Sequence, residues 1–236
     1  MRALIVGYGK MGKAIEAVLL AKGHAVAGKI DEGDPPGGPG IFLEGESAVD
    51  VAFEFTTPAS AEGLVVFLLS KQIPVVSGTT GWDTAPAIRF AREQKIPFLH
   101  SPNFSIGVAV MRRLAASASA LLSPLAGFEP GILERHHSAK KDAPSGTAKL
   151  LAAAVESGRP GSHVPVVALR QGGQPGEHAL FFEGESESLE IVHRARSRAI
   201  FAAGAVAAAE WLLESGRTGP VTFDEFLDSI PKERTP

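Results

Sequence analysis

The first hundred residues alternate short runs of branched apolar residues with segments whose apolar residues recur at helical spacing. The first pattern predicts five strands, at residues 2–6, 25–30, 50–55, 73–77 and 97–100. The second predicts three helices, at residues 11–22, 60–71 and 84–94. Alternating strands and helices are typical of βαβ units, so we expect a parallel sheet covered by helices. Residues 32–40, rich in Pro and Gly, predict a loop.

The pattern changes after the fifth strand. A helix is predicted over 105–123, and another over 147–156. Four segments alternate apolar and polar residues, at 131–136, 164–169, 178–182 and 188–193. Alternation at period two indicates strands with one buried face, and we expect an antiparallel sheet. The chain returns to helix at 201–214, and Thr222 with Glu225 matches a capping box.

The composition narrows the classes of protein that these elements can form. With 236 residues, 44% of them hydrophobic, the chain can bury the core of one or two compact domains. Its net charge of -3 gives no strong field that would attract nucleic acid or an anionic membrane. Because Cys is absent, disulfides and Cys nucleophiles are excluded, and redox chemistry requires a bound cofactor. The sequence shows no secretory leader and no membrane-spanning apolar run, which predicts a cytoplasmic protein.

A glycine-rich turn joins the first strand to the first helix. Its residues are Gly7, Tyr8, Gly9, Lys10, Met11 and Gly12. Glycines at this spacing permit a tight turn, close approach of the backbone to a pyrophosphate, and close packing of helix on strand. The alternative is a plain tight turn, but its position between a strand and a helix favours dinucleotide binding.

Two opposite charges stand at the end of the second strand, Lys29 and Asp31. A carboxylate there accepts hydrogen bonds from the ribose hydroxyls of NAD, whereas a cation neutralises the 2'-phosphate of NADP. The sequence supplies both charges, so NADH, NADPH or both are open as cofactors. Ordinary solvated loop charges are the alternative interpretation.

Two further loops follow the fourth and fifth strands, at the edge where open α/β sheets bind ligands. Their candidate cofactor-binding residues are Gly78, Thr79, Thr80, Ser101, Pro102, Asn103 and Phe104. Hydroxyl and amide side chains at this edge can bond to ribose or carboxamide groups. Turn formation and helix capping are the alternative roles of such residues.

The densest polar segment of the chain is residues 134–147, which contain two histidines and two lysines. Proton transfer requires a group that changes charge near neutrality. His136 and His137 do so unaided, and Lys140 does so when nearby positive charge or burial favours its neutral form. A structural role is the alternative for each histidine taken alone, but together these residues favour acid–base chemistry.

An anion-binding turn follows in the same segment. Ser145, Gly146 and Thr147 lie at the start of a predicted helix, where N–H groups and hydroxyls can hold a substrate carboxylate. No metal site is expected. Adjacent histidines point apart on a strand, and the sequence has neither Cys nor the His-Glu-x-x-His spacing of zinc sites.

Residues 136–148, together with 78–81 and 102–108, resemble the dihydrodipicolinate reductases, also called 4-hydroxy-tetrahydrodipicolinate reductases. The run His-His-x-x-Lys-x-Asp-Ala-Pro-Ser-Gly-Thr is far more specific than the glycine motif, and the resemblance extends over nearly the whole chain. It implies reduction of a cyclic imine dicarboxylate by NADH or NADPH, in the diaminopimelate route to lysine.

The resemblance also implies an architecture. We expect an α/β protein with a Rossmann-like dinucleotide-binding domain at 1–104 and 199–236. An inserted α+β domain at 105–198 would bind the substrate and form a homotetramer. Neither nucleic acid nor a membrane is expected as a partner.

The resemblance assigns roles to the polar segment. His136 and Lys140 are expected to handle the proton. The residues expected to bind the substrate are His137, Ser145, Gly146 and Thr147. The loops 78–80 and 101–104 are expected to bind the cofactor.

Two features depart from many members of the family. The first glycine turn is one residue shorter, and Lys29 and Asp31 stand where an acid followed by Arg is usual. Cofactor preference therefore does not follow from the resemblance. Two alternatives are a nicotinamide-dependent amino-acid dehydrogenase of the aspartate or homoserine type, and a catalytically inactive dinucleotide sensor. The first should lack the run that begins at His136, and intact His136 and Lys140 argue against the second.

Overall fold

The computed structural model describes residues 1–32, 49–125 and 127–230. The chain divides into two compact units, of which the first is Met1–Phe104 with Phe201–Pro236 and the second is Ser105–Ile200. From residue 33 onward, the loop predicted over 32–40 lies outside the described residues.

The first unit contains a six-stranded sheet in which every described pair of strands is parallel. Its strands are β1 (Arg2–Val6), β2 (Ala25–Ile30), β3 (Val51–Glu54), β4 (Val75–Ser77), β5 (Phe98–His100) and β10 (Pro220–Val221). Its helices are α1 (Lys10–Ala21), α2 (Pro58–Ser70), α3 (Ala85–Gln94), α6 (Ala199–Glu214) and α7 (Phe223–Ser229). The α/β fold expected from the alternating patterns is confirmed.

The apolar runs form strands because this sheet is buried on both faces. All of β3 and β4 is buried, as are the last four residues of β1. A core cluster packs Leu4 and Val75 against Val65 and Leu68 of α2 and Ala87 of α3. Parallel strands covered by helices on both sides carry continuous apolar runs in this way.

The order of strands locates the ligand edge of the first unit. The sheet runs β10-β5-β4-β3-β1-β2, so the chain turns in opposite directions on either side of β1. Ligands of open α/β sheets bind outside the carboxyl ends of the strands at such a switch point. Val6, Glu54, Ser77 and His100 are aligned across this edge by the strand register.

The second unit packs two helices against a four-stranded sheet of order β7-β6-β8-β9. Its elements are α4 (Ile106–Leu122), β6 (Glu129–His136), α5 (Gly146–Gly158), β7 (Val166–Arg170), β8 (Gly176–Glu183) and β9 (Ser188–Ala195). Its own core includes Met111 and Leu151 of the helices and Ile132, Leu180 and Phe182 of the strands.

The antiparallel sheet predicted for this unit is only partly right. β6 pairs with β8 and β8 with β9 in antiparallel fashion, but β6 and β7 are parallel. The reason is the connection. The chain passes from β6 through α5 to β7, and a helical crossover of this kind joins parallel strands.

The sequence patterns located most elements within a few residues of their ends. The capping box at Thr222 and Glu225 is present, with both of its hydrogen bonds. The two-residue strand β10 was not predicted, because so short a segment carries no periodicity. Among the described residues, no helix is both long and apolar enough to cross a membrane.

Candidate functional site

Glycine is required twice in the turn after β1. Gly7 has φ of 92°, and a Cβ there would lie 2.1 Å from the carbonyl oxygen of Phe55. A Cβ at Gly12 would lie 2.3 Å from the carbonyl oxygen of Gly7. These contacts hold the start of α1 against the ends of β1 and β3, as the dinucleotide motif predicts.

The N-terminus of α1 has the features of an anion site. The N-cap is Gly9, which has no side chain to cap the first N–H groups, and a Cβ there would meet no atom within 4 Å. The helix begins with Lys10 and Met11, and no acidic residue lies in its first turn. The first N–H groups of an α-helix have no partner within the helix, so open space beside them suits a phosphate. These residues therefore fit the pyrophosphate of a nicotinamide dinucleotide.

Lys29, at the end of β2, forms a cluster with two residues of the glycine turn and α1. Its Nζ lies 2.5 Å from Oε1 of Glu16 and donates to the hydroxyl of Tyr8 over 3.1 Å. That hydroxyl also bonds to Glu16, and Nζ lies 4.5 Å from the centroid of the Tyr8 ring. The hydrogen bond between Lys29 and Glu16 lowers the pKa of Glu16 and raises the pKa of Lys29. Asp31 is exposed just beyond this cluster.

A buried carboxyl group organises the loops at the ligand edge. Glu54, the last residue of β3, is 0% exposed. Its oxygens accept hydrogen bonds from the Ser77 hydroxyl over 2.6 Å, the Thr79 hydroxyl over 2.6 Å and the Thr56 backbone N–H over 2.9 Å. One side chain thus joins the ends of β3 and β4. Glu54 is not among the residues predicted from the sequence, because it is the final residue of an apolar strand.

The predicted cofactor loops lie at this edge, but their side chains differ in exposure. Thr79 is buried and bonds to Glu54, whereas Thr80 is exposed. Gly78 packs against the Phe55 ring, which a Cβ there would approach to 2.1 Å.

The loop after β5 is held by its own hydrogen bonds and by the core. The Ser101 hydroxyl donates to the carbonyl of Asn103 over 2.8 Å, and Pro102 is exposed. Phe104 is 2% exposed, and its ring contacts Phe223 at a centroid distance of 5.3 Å. Phe104 therefore anchors the end of this loop in the core of the first unit.

In the second unit, β6 places the candidate proton-handling histidine beside a buried carboxylate. Glu134 and His136 stand two residues apart, so their side chains share one face of the strand. Glu134 is 0% exposed, and its Oε2 lies 3.4 Å from Nδ1 of His136. Burial lowers the pKa of His136, and the charge of Glu134 opposes this effect without cancelling it.

Glu134 remains charged because it has other partners. Its Oε1 accepts from the backbone N–H of Ser145 over 3.0 Å and from Nη2 of Arg170 over 2.7 Å. Burial by itself raises the pKa of the Glu134 carboxyl. Hydrogen bonds from Ser145 and Arg170 outweigh this effect, so the pKa is lowered.

A second buried histidine, His178 of β8, lies against the same group. Its ring centroid is 5.1 Å from that of His136, and its Nε2 lies 3.2 Å from the Ser145 hydroxyl. Burial, reinforced by the charge of His136, lowers the pKa of His178 to about 4. The sequence predicts a strand at His178 but gives this residue no role, because it lies far from His136 along the chain. The antiparallel pairing of β6 with β8 brings the two histidines together.

Lys140 lies in the loop that follows β6, paired with an acid. Its Nζ is 2.7 Å and 2.9 Å from the two carboxylate oxygens of Asp142. The hydrogen bond from Lys140 lowers the pKa of Asp142. Nη2 of Arg170 donates to the carbonyl of Asp142 over 2.5 Å, which connects this loop to β7.

The predicted carboxylate-binding turn begins α5. Ser145 is its N-cap and is buried, and its hydroxyl accepts from the N–H of Ala148 over 3.1 Å. Gly146 is exposed, with open space where a Cβ would stand, and Thr147 is partly exposed. His137 is also partly exposed. Ser145 therefore faces the interior, and the first two residues of α5 face outward.

The described residues include one set of side chains that could ligate a metal. Ligand atoms of Glu134, His136 and His178 all lie within 4.8 Å of one another. The expectation of no metal site did not consider this set, which strand pairing brings together. The guanidinium of Arg170 already supplies a cation to Glu134, which disfavours a second cation there.

Two sequence models match the chain. The model described as dihydrodipicolinate reductase, N-terminus, matches residues 1–104, and the one described as dihydrodipicolinate reductase, C-terminus, matches residues 107–227. The chain belongs to the dihydrodipicolinate reductase family. The resemblance seen in the sequence is thereby confirmed.

Individual relatives of the dihydrodipicolinate reductase family match over most of their length. The 4-hydroxy-tetrahydrodipicolinate reductase of Christiangramia forsetii is 34% identical over 245 residues, covering 98% of this chain and 100% of that protein. The one from Stenotrophomonas maltophilia (strain R551-3) is 38% identical over 229 residues, covering 90% of this chain and 92% of that protein.

A solved structure shows the same fold. It is described as dipicolinate-bound dihydrodipicolinate reductase from Paenisporosarcina sp. TG-14, with a TM-score of 0.75 at 23% identity. The match covers 94% of this chain and 97% of that chain.

Proposed function

We propose that this protein is a 4-hydroxy-tetrahydrodipicolinate reductase, which reduces a cyclic imine dicarboxylate with NADH or NADPH on the diaminopimelate route to lysine. The observation that carries the proposal is the match of both family models, over 1–104 and 107–227. The solved relative that holds dipicolinate, a planar ring dicarboxylate, supports this class of substrate.

We infer that the first unit binds the cofactor. The glycine turn and the N-terminus of α1 would hold the pyrophosphate, and the loops 78–80 and 101–104 would hold the nicotinamide half. When bound, the nicotinamide supplies a hydride. Glu54 would hold the loops that follow β3 and β4 in place, because its oxygens accept hydrogen bonds from Thr56 and Thr79.

The second unit would bind the substrate and move the proton. The N-terminus of α5, at Gly146 and Thr147, would bind one carboxylate through backbone N–H groups and a hydroxyl. His137 would contact the substrate. Hydride addition to the unsaturated imine leaves an enamine, and a proton delivered by His136 or Lys140 to its carbon completes the reduction.

Substrate charge favours the protonated form of His136, which is the form that can donate a proton. In the structure, burial holds the pKa of His136 below its usual value. A bound dianion beside His136 would oppose this effect and raise the pKa of the imidazole. Positive side chains and N–H groups would also stabilise electron density that builds on the ring during reduction.

We also propose a homotetramer in the cytoplasm, where nicotinamide nucleotides are plentiful. The face of the four-stranded sheet opposite α4 and α5 supports association of several copies. Val167 is 63% exposed and Leu169 40% exposed, and Phe181 is partly exposed on the same face. Apolar residues clustered on an open sheet face favour contact with another protein surface. Light scattering of the purified protein tests this, and a monomer would contradict it.

The experiment that tests the activity follows the oxidation of NADH and of NADPH separately, with freshly made product of dihydrodipicolinate synthase. Rapid oxidation that depends on this product, and that dipicolinate inhibits competitively, supports the proposal. Oxidation with oxaloacetate and ammonia, or with aspartate semialdehyde, would favour a dehydrogenase of the aspartate or homoserine type. Binding of NADH without any oxidation would favour an inactive sensor.

A further inference from the structure

The interior of the second unit holds a carboxylate that reaches two parts of the proposed active site. Glu134 contacts Nδ1 of His136 through Oε2 and the backbone N–H of Ser145 through Oε1. It thus touches the histidine proposed to handle the proton and the N-cap of the helix proposed to bind a carboxylate. No role was assigned to it from the sequence.

We propose that Glu134 is a positioning residue, which fixes the orientation of the His136 ring and the N-terminus of α5 together. Nε2 of His178 lies near both partners, 3.2 Å from the Ser145 hydroxyl and 3.7 Å from Oε2 of Glu134. This inference rests on the proposed function, and it adds the residue that couples proton transfer to substrate binding.

Glu134 influences which ring nitrogen of His136 carries the proton. Oε2 of Glu134 and Nδ1 of His136 lie 3.4 Å apart, and each atom is buried without a hydrogen-bond partner among the described residues. The negative charge of the carboxylate therefore favours a proton on Nδ1. Nε2 is then the nitrogen that exchanges a proton with the substrate. It lies beside Gly176, where a Cβ would come within 3.0 Å of it. Glycine at this position leaves room next to the reactive nitrogen.

The negative charge of Glu134 also acts on His136. A carboxylate that is wholly buried must be compensated, and the Nη2 of Arg170 lies 2.7 Å from Oε1. Oε2 is left to face His136 and also lies 3.7 Å from Nε2 of His178. Because its lowered pKa keeps Glu134 charged, this carboxylate favours the protonated form of His136, against the larger opposing effect of burial.

Ser145 connects this carboxylate to α5. The backbone N–H of Ser145 donates to Glu134, while the Ser145 hydroxyl caps α5 at Ala148 and lies 3.2 Å from Nε2 of His178. Both groups of Ser145 are therefore fixed from the interior. The position of Ser145 in turn sets the position of Gly146 and Thr147, whose N–H groups are expected to bind the substrate carboxylate.

The test compares Glu134→Gln with the wild-type protein. Glutamine keeps the size and one acceptor oxygen but removes the charge. We expect kcat to fall on the order of 10²-fold, and KM for the dicarboxylate to rise. The pKa that governs kcat should move to lower pH, because the carboxylate no longer favours protonated His136. The Kd of NADH, measured by fluorescence, should not change.

Two further variants separate positioning from folding. Glu134→Asp keeps the charge on a shorter side chain, and it should restore the pH profile at least in part. Glu129→Gln changes an exposed acid at the start of the same strand, and it should behave as wild type. An unshifted pH profile in Glu134→Gln, with kcat alone reduced, would overturn the inference even when the wild-type protein is active. An inactive wild-type protein would instead refute the proposed function.

A readout that does not depend on activity is the tautomer itself. In 15N spectra of the histidine rings, wild-type His136 should carry its proton on Nδ1, and Glu134→Gln should lose this preference. Elemental analysis of the same samples distinguishes a metal site. One equivalent of zinc in the wild type, lost in Glu134→Gln, would overturn the inference, because Glu134 would then act as a ligand.

Discussion

The ammonium group of Lys29 lies 2.5 Å from a carboxylate oxygen of Glu16. The cation that would meet the 2'-phosphate of NADPH is therefore already paired, and the phosphate must compete with Glu16 for it. NADH carries no charge at this position and meets no such competition. We therefore expect the protein to bind NADH more tightly than NADPH.

Removing this competition should change cofactor preference. Glu16→Gln should tighten NADPH binding about 2- to 5-fold relative to NADH, the scale of an exposed ion pair. Lys29→Ala should weaken NADPH more than NADH, and the difference should shrink at high salt because screening weakens the same attraction. Asp31→Ala should weaken NADH. Separate titrations of both cofactors at two salt concentrations measure these ratios.

A matched control exists in the same unit. Glu210→Gln breaks another Lys–Glu pair of 2.5 Å, made with Lys22 at the opposite end of α1. In this variant the ratio of the Kd of NADH to the Kd of NADPH should equal that of the wild-type protein. If the ratio of the Kd of NADH to the Kd of NADPH is unchanged in both Glu16→Gln and Lys29→Ala, the end of β2 does not recognise the adenosine ribose.

The proton-handling assignment predicts large effects on turnover. His136→Gln and Lys140→Ala should each lower kcat roughly 10²-fold or more, with little change in the Kd of NADH. Lys141→Ala is the matched control, because Lys141 is the exposed neighbour of Lys140. Steady-state kinetics with both substrates measure the effects. Near-normal turnover in the first two variants would contradict the assignment.

The start of α5 predicts a different kinetic pattern. Thr147→Val removes a hydroxyl proposed to bond to a carboxylate that is present in both the substrate and the transition state. KM should rise roughly 10-fold, the scale of a hydrogen bond to a charged group, with kcat nearly constant. A loss confined to kcat would exclude uniform binding of that carboxylate.

Periodicity was sufficient to predict most helices and strands, since burial of one face or of both faces leaves a local pattern. The glycine turn could also be predicted from the sequence, because Gly7 and Gly12 make close backbone contacts that any side chain would block. The parallel pairing of β6 and β7 was not, because alternation reports burial and not strand direction. Direction follows from the crossover through α5.

Partners of buried polar groups were harder to foresee. Glu54 is the last residue of an apolar strand, whereas Glu134 and His178 lie in strands beside other charged residues, so neither pattern shows which partners these side chains have. Their contacts join segments 23 to 25 residues apart for Glu54 and 33 residues apart for His178 with Ser145. Such contacts depend on sheet register, which a single sequence does not fix.

Glu54 yields a prediction about stability. Glu54→Ala would remove the carboxylate that accepts hydrogen bonds from the hydroxyls of Thr56, Ser77 and Thr79. We expect a loss of about 3 kcal/mol or more in the free energy of unfolding, and a weaker affinity for NADH. Glu54→Gln should lose less. Glu62→Ala, an exposed change on α2, is the control for urea unfolding, and equal stability of all variants would contradict the role of Glu54.

The buried ring of His178 predicts that stability depends on pH. Its pKa is about 4 in the folded protein, whereas an unfolded histidine titrates near 6.5. Between these values the unfolded chain binds more protons than the folded one, so protons favour unfolding. The contribution of His178 is therefore fully favourable above about pH 6.5, and stability is lost as the pH falls towards 4.

His178→Gln isolates this effect, because the amide can still bond to Ser145 but does not titrate. Any lost contact energy lowers stability equally at every pH, so it cancels when one pH is compared with another. Between pH 7.5 and pH 4.5 the wild-type protein should lose about 2 kcal/mol more than the variant in the free energy of unfolding. Urea unfolding at the two pH values measures this difference. Equal losses in both proteins would show that the ring of His178 is not held neutral by burial.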